Sequence, residues 1–270
     1  MKYAHLLHPF LITLVVLIPG WSWAADIHVT RIDVEKHRFA TITITGRIDR
    51  GDVARFKEIV DSLRSASYND VIEVEVNSQG GQVIPAMEIG TIIRDNWLWT
   101  SVLNDTGAVC YSSCVFIFAA GAVRIQADLA PIGIHSPFFE AELFAGLDKA
   151  EAKKKYDTLL SDIRVYLDKM GMAPEVYQAM TRVPSNELRI LSAAEIENWN
   201  ISGKDPAYVE YNRAKNVAKY GEAKMREFDE WMKITKAYIV DCESKANHPK
   251  YAHTNLMAKY PNPASDSDKR

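Results

Sequence analysis

Cysteine is scarce in this sequence: 270 residues carry three, Cys110, Cys114 and Cys242. Three thiols allow at most one internal bridge and leave one sulfur over. A surplus of basic charge is also missing. Lys and Arg number 32 against 35 Asp and Glu, a formal charge of −3, and a mildly acidic chain gives no hint of nucleic-acid binding. There is no phosphate-binding glycine loop, no internal repeat and no extensive low-complexity segment. Beyond the amino-terminal segment no long apolar run occurs, so the mature chain is expected to be soluble. Nothing calls for a metal or another cofactor.

What is present begins with a targeting segment. Lys2, with His5 and His8, forms a thin positive region, "PFLITLVVLIP" is an apolar stretch, and "WSWA" closes it with Ser22 and Ala24 as small residues at the −3 and −1 positions. This pattern predicts a signal peptide over residues 1–24, cleaved after Ala24. An apolar stretch of roughly a dozen residues is short for a membrane span of about 20; an uncleaved membrane anchor is the alternative. Either way the body of the protein is exported, to the periplasm or beyond. Loss of Lys2 takes the formal charge from −3 to −4. About 245 residues then remain, enough for one large domain or a domain plus an appendage.

Strands and helices alternate along this body. "RFATITITGRI" (38–48) alternates apolar and polar residues and reads as a strand. "DRGDVARFKEIVDSLRSA" sets Val53, Phe56, Ile59, Val60 and Leu63 at helical spacing. "DVIEVEVNSQGG" is a second alternating strand. The helix after it has Ile84, Met87, Ile92 and Ile93 as expected core residues, with Pro85 in the first turn, where its missing N–H is not needed. "WLWTSVLND" is a third strand, and "VRIQADLAPIGIHS" gives short strands ending at His135. A long amphipathic helix then carries Leu159, Leu160, Ile163, Tyr166 and Leu167 on one side and stops at Gly171. "APEVYQAMTRV" starts a further helix, and "ELRILSAAEIENWNI" reads as a short strand into a helix with a capping box from Ser192 and Glu195. From Gly203 onward, charged helices with aromatic punctuation run into a tail, "YPNPASDSDKR", that reads as disordered. The pattern predicts an α/β domain over 25–203 with a mainly parallel sheet flanked by helices, and a helical extension over 204–270.

Ligands of such sheets sit beyond the carboxyl ends of the strands. Three segments should meet there: Asn77–Gly81, residues 105–113 and the approach to His135. In "NSQGG" two glycines can leave backbone amides open to a ligand, or simply make a tight turn. Ser112, where a strand turns into a helix, suits a nucleophile facing a positive helix end, or an N-cap; Ser113 competes for either role. His135 can serve such a serine as general base, or be a structural histidine. Cys110 and Cys114 are four apart, too far at Cβ on a regular helix to bridge, so they can pair only if Cys110 lies outside the helix.

Taken together, these segments resemble the Clp protease proteolytic subunit and the wider ClpP/crotonase superfamily, closely over 70–137 and loosely over 39–203. The family's "NSPGG" matches Asn77-Ser78-Gln79-Gly80-Gly81, with Gln79 replacing proline. Its "ASMGA…AAG" helix matches Tyr111-Ser112-Ser113-Cys114-Val115 followed by Ala119-Ala120-Gly121. Its "MIHQP" matches Ile134-His135-Ser136-Pro137. The resemblance implies Ser112 as nucleophile, His135 as base, and the Gly81 and Ser113 amides as oxyanion donors. The family's third residue, an aspartate before "RFLSA", falls on Leu188, ahead of Arg189-Ile190-Leu191-Ser192-Ala193. Glu187 or Asn186 is the nearest substitute to orient His135. "CYSSC" is similar to a variant in exported relatives, and there the thiols fit a Cys110–Cys114 disulfide locking the serine turn, with Cys242 free. Two small buried hydrophobes are the competing reading of the pair.

The resemblance thus implies an exported serine hydrolase acting on peptides or unfolded protein, without an ATP-driven unfoldase. Oligomer formation is expected, with the apolar "FFEAELFAGL" (138–147) at an interface or over the site. The alternative is a pseudoenzyme that keeps the pocket and binds peptides or a partner. An acyl-CoA enzyme of the crotonase type needs two oxyanion amides but also a CoA pool that an exported protein lacks.

Overall fold

The structure, a computed structural model, describes residues 24–35, 37–68, 71–103, 107–127, 130–138 and 146–244, the last nine by backbone alone. The apolar leader, most of the 138–147 segment, the Cys242 side chain and the tail lie outside the described residues.

The chain enters as a hairpin, β1 (Asp26–Val34) antiparallel to β2 (His37–Thr45). The larger sheet then runs β1-β2-β3-β4-β6-β9. Its middle strands, β2, β3 (Val71–Asn77), β4 (Trp99–Val102) and β6 (Val123–Gln126), are parallel. The edge strand β9 (Gly203–Lys204) is antiparallel. Alternation in the sequence becomes alternation in burial. Ala40, Ile42 and Ile44 of β2 and Ile72, Val74 and Val76 of β3 are buried, while the residues between them are partly exposed. One face of these strands therefore meets the core, and the other is only half covered.

The expectation of one sheet needs correcting. A second, three-stranded sheet forms from β5 (Cys110–Tyr111), β7 (Ile132–Ile134) and β8 (Arg189–Ile190). β5 is parallel to β7, and β8 is antiparallel to it. A single bridge, Ser78 to Cys110, ties this small sheet to the end of β3. The cause is local: β5 is two residues long and turns away at Ser112 before it can join the larger sheet.

Helix α1 (Arg50–Ser65) opens on a capping box from Asp49 and Asp52, and it buries Phe56, Val60 and Leu63 as the spacing predicted. In α2 (Val83–Asp95) the predicted stripe is out of phase at its start. Ala86, Ile89, Gly90, Ile93 and Arg94 face inward, whereas Ile84 is 46% exposed. Helix α3 (Cys114–Ala119) is buried throughout. α4 (Lys149–Lys169) buries Leu159, Ile163, Tyr166 and Leu167. α5 (Pro174–Arg182) follows, and α6 (Ala193–Asn198) carries the expected Ser192–Glu195 capping box. Beyond β9 come α7 (Pro206–Tyr220) and α8 (Glu222–Ser244), broken at Gly221. α7 lies against the start of β4: Tyr211 stacks on Trp97 with ring centroids 5.3 Å apart, and the Trp99 indole donates to the Tyr208 hydroxyl at 3.4 Å. No helix among the described residues is long and apolar enough to cross a membrane.

Candidate functional site

The turn between β3 and α2 is built by its own polar side chains. Asn77 Oδ1 accepts from the Val109 amide at 3.1 Å, and the Ser78 hydroxyl donates to the Gly46 carbonyl at 2.5 Å while accepting from the Gly80 amide at 3.0 Å. The two glycines answer to close neighbours. A Cβ on Gly80 (φ +101°) would stand 2.7 Å from Ser112 Cβ, and one on Gly81 (φ +154°) would stand 2.1 Å from the Ile48 carbonyl oxygen. Both positions exclude a side chain on conformational and on steric grounds.

Ser112 lies directly over this turn. Its amide donates to the Gly133 carbonyl at 2.9 Å, and the β5–β7 register pairs Tyr111 with Gly133. β7 ends at Ile134, one residue before His135. Ser112 has φ +56°, a left-handed conformation uncommon for a non-glycine residue. It is half-buried, whereas Ser113 is 1% exposed and its hydroxyl has no hydrogen-bond partner. Among the described residues, neither the Gly81 nor the Ser113 amide has an acceptor. The space a Cβ would fill at Gly80 lies 3.1 Å from the Ser113 nitrogen, so glycine there leaves that amide open.

His135 is half-buried, stacks on the exposed ring of Phe138 at 6.1 Å, and has its Nδ1 at 2.8 Å from the Ser136 carbonyl oxygen. As donor to that carbonyl, Nδ1 carries the proton and Nε2 is left with its lone pair. The Ser112 hydroxyl and His135 are not hydrogen-bonded to each other. Nor, among the described residues, does a carboxylate bond His135. Glu187 is exposed, with its amide donating to the Pro184 carbonyl at 3.0 Å. Leu188 Cδ1 and Tyr111 Cδ1 each lie 2.9 Å from the Cβ position of Gly133. That places apolar side chains beside β7, two residues before His135.

Cys110 and Cys114 lie within disulfide-bonding distance, their Cα atoms 5.3 Å apart. The geometry works because Cys110 is on β5 and Cys114 is the first residue of α3, with Ser112 between them. A loop this short contributes only about 2 kcal/mol through loop-closure entropy, so the bridge acts mainly on the local path of the turn. Mass mapping of unreduced peptides from oxidised protein is expected to recover a linked Cys110–Cys114 fragment. Two free thiols at these positions would contradict the pairing.

Sequence reasoning missed the groups that hold α3. Its carbonyls at 116 and 118–121 each meet a side chain from elsewhere. Tyr166 donates to Phe116 O at 2.7 Å and Thr100 to Phe118 O at 2.7 Å. Arg94 donates to Ala119 O and Ala120 O at 3.4 and 3.0 Å, and Arg124 to Gly121 O at 3.0 Å. Asp205 takes the Arg94 charge at 2.5 Å and lies 3.8 Å from Arg124. Burial, with the like charge of Arg94, lowers the Arg124 guanidinium to about 10, against the pull of Asp205. Burial pushes the Tyr166 phenol well above its ordinary value. The available signal was an arginine in each of two apolar segments, α2 and β6.

No family model matches the chain, and no curated protein does. Among solved structures it is similar to a ClpP1 mutant from Listeria monocytogenes, at 21% identity and a TM-score of 0.46, over 62% of this chain and 93% of that one. It is also similar to a mutant of the membrane-bound stomatin-specific protease 1510-N, at 13% identity and a TM-score of 0.44, over 62% of this chain and 80% of that one.

Proposed function

We propose that this protein is an exported serine hydrolase that cleaves peptide bonds, with Ser112 as nucleophile and His135 as general base. The observation that carries the reading is the left-handed Ser112 at a strand-to-helix turn, half-exposed beside two amides that have no acceptor. Strained backbone of this kind gathers at functional positions. The buried Ser113 hydroxyl leaves Ser112 as the accessible member of the pair.

In this mechanism Ser112 Oγ attacks the carbonyl carbon and His135 Nε2 takes its proton. The new oxyanion lies between the Gly81 and Ser113 amides. The protonated imidazole then gives the proton to the leaving amine, and water repeats the sequence to free the acid and restore Ser112. The Ser136 carbonyl holds the imidazole in the tautomer that leaves Nε2 basic. It brings no full negative charge to stabilise the imidazolium, so turnover should be slow.

A second reading, a pseudoenzyme that binds peptides or a partner, draws on the surroundings of His135: its Nδ1 is met by the Ser136 carbonyl and, among the described residues, by no carboxylate. A fluorophosphonate probe separates the two. The parent and Ser113→Ala should be labelled, and Ser112→Ala should not. Absence of labelling in folded parent protein favours the binding reading.

A further inference from the structure

We propose that hydrolysis of the Ala24–Ala25 bond creates an α-ammonium group for which the buried Asp52 carboxylate is the receptor. Two independent observations converge on one nitrogen. The small residues Ser22 and Ala24 mark that bond for cleavage. The Ala25 nitrogen lies 3.2 Å from Asp52 Oδ2.

The surroundings suit a chain terminus. Ala25 is 2% exposed and packs in the hydrophobic core, and Asp52 is 0% exposed. Arg55 donates to the Ala25 carbonyl at 3.0 Å, so the residue is held at both its nitrogen and its oxygen. Among the described residues, Asp52 is met by the Ala25 amide, the Asp49 amide at 2.7 Å, and Arg55 at 3.4 Å. Of these, Arg55 carries a charge, and its side chain is 46% exposed. A buried carboxylate is costly unless a full charge and good hydrogen bonds meet it.

Hydrolysis supplies that charge. Water adds across the amide, Ala24 leaves as a carboxylate, and the Ala25 nitrogen gains protons to become an ammonium. Three donors and a unit charge then stand where one neutral N–H stood, and a charge-assisted bond is stronger than a neutral one. Asp52 also closes the α1 capping box, so the new terminus is joined to the helix that packs against β1 and α2. The inference rests on export of the chain but not on its hydrolase reading, because it involves neither Ser112 nor His135.

The test exports the full chain and reads the mature protein by mass spectrometry, which should begin at Ala25. Acylation of the α-amine by a succinimidyl ester is then followed at one mildly alkaline pH. In a variant with one glycine inserted between Ala24 and Ala25, the amine moves one residue outward while Asp52 and its cap remain. The parent amine should react at least about 10-fold more slowly than the inserted one, since an ammonium held in a charge-assisted bond is withheld from attack. Folded Asp52→Asn should react as fast as the inserted variant; should it not fold, the insertion decides alone. A different mature terminus, or equal rates in the parent and the insertion, would overturn the proposal.

Discussion

Replacing Ser112 with alanine is expected to cut hydrolysis of a small activated ester by about 10³-fold or more. His135→Ala should do the same, because an unassisted serine hydroxyl is a weak nucleophile at neutral pH. Ser113→Ala should change the rate by less than about 3-fold, since the proposed oxyanion donor is its backbone amide, not the hydroxyl. The instructive variant is Glu187→Gln. A carboxylate that oriented His135 would be worth up to about 10⁴-fold, but the imidazole Nδ1 is bonded to the Ser136 carbonyl, so the expected change is again less than about 3-fold. Steady-state rates on one ester substrate distinguish all four. Full activity in Ser112→Ala would sink the mechanism, and a large loss in Glu187→Gln would restore the carboxylate to it.

The second large effect is on stability. Asp205→Ala leaves Arg94 and Arg124 buried without their counter-charge, and removing one partner of such a group costs about 3–5 kcal/mol. It also removes the N-cap of α7, where Asp205 accepts from the amides of Ala207 and Tyr208 at 2.9 and 3.2 Å. Chemical denaturation of the parent and the variant measures the difference. The pH dependence has a definite sign. Burial pushes the Asp205 carboxyl up, but the Arg94 hydrogen bond and charge, the Tyr208 amide and the Arg124 charge outweigh it and hold the group below the ordinary carboxylate range. A depressed value stabilises the fold above the unfolded carboxyl value of about 3.9, and that stability is lost as pH falls through the folded value. The parent should therefore lose stability on acidification below about pH 4, and Asp205→Asn should start lower and show a flatter acid limb. Equal midpoints at neutral pH would refute the role given to this cluster.

Much of the fold was legible because it rests on periodicity. The alternation of β2 and β3, the stripes of α1 and α4, and the Ser192 capping box all record contacts made within one element. The expectation of a single sheet failed at β5, where two residues carry too short a pattern to show which sheet they join. The α2 stripe slipped because Gly90 and Arg94 face inward, and neither counts as apolar. The candidate site was legible as a set of motifs, since Gly80, Gly81, Ser112 and His135 each sit at a strand end. Its supports were not. The partners of Arg94 span 111 residues, from α2 to the cap of α7, and no local pattern encodes a contact of that range. The use of a backbone carbonyl at His135 has no side-chain signature at all.

The side chains that hold α3 also set an order of events. Arg94 and Thr100 precede the serine turn in the chain, but Arg124, Tyr166 and Asp205 follow it. Contacts this distant form late, because closing long loops must precede the reward for making them. As the chain emerges amino end first, Ser112 appears well before the residues that fix its helix. A nascent chain therefore presents the serine without the contacts that fix its helix, and these are complete only when residue 205 has arrived. The serine turn is thus among the last parts of the fold to be fixed.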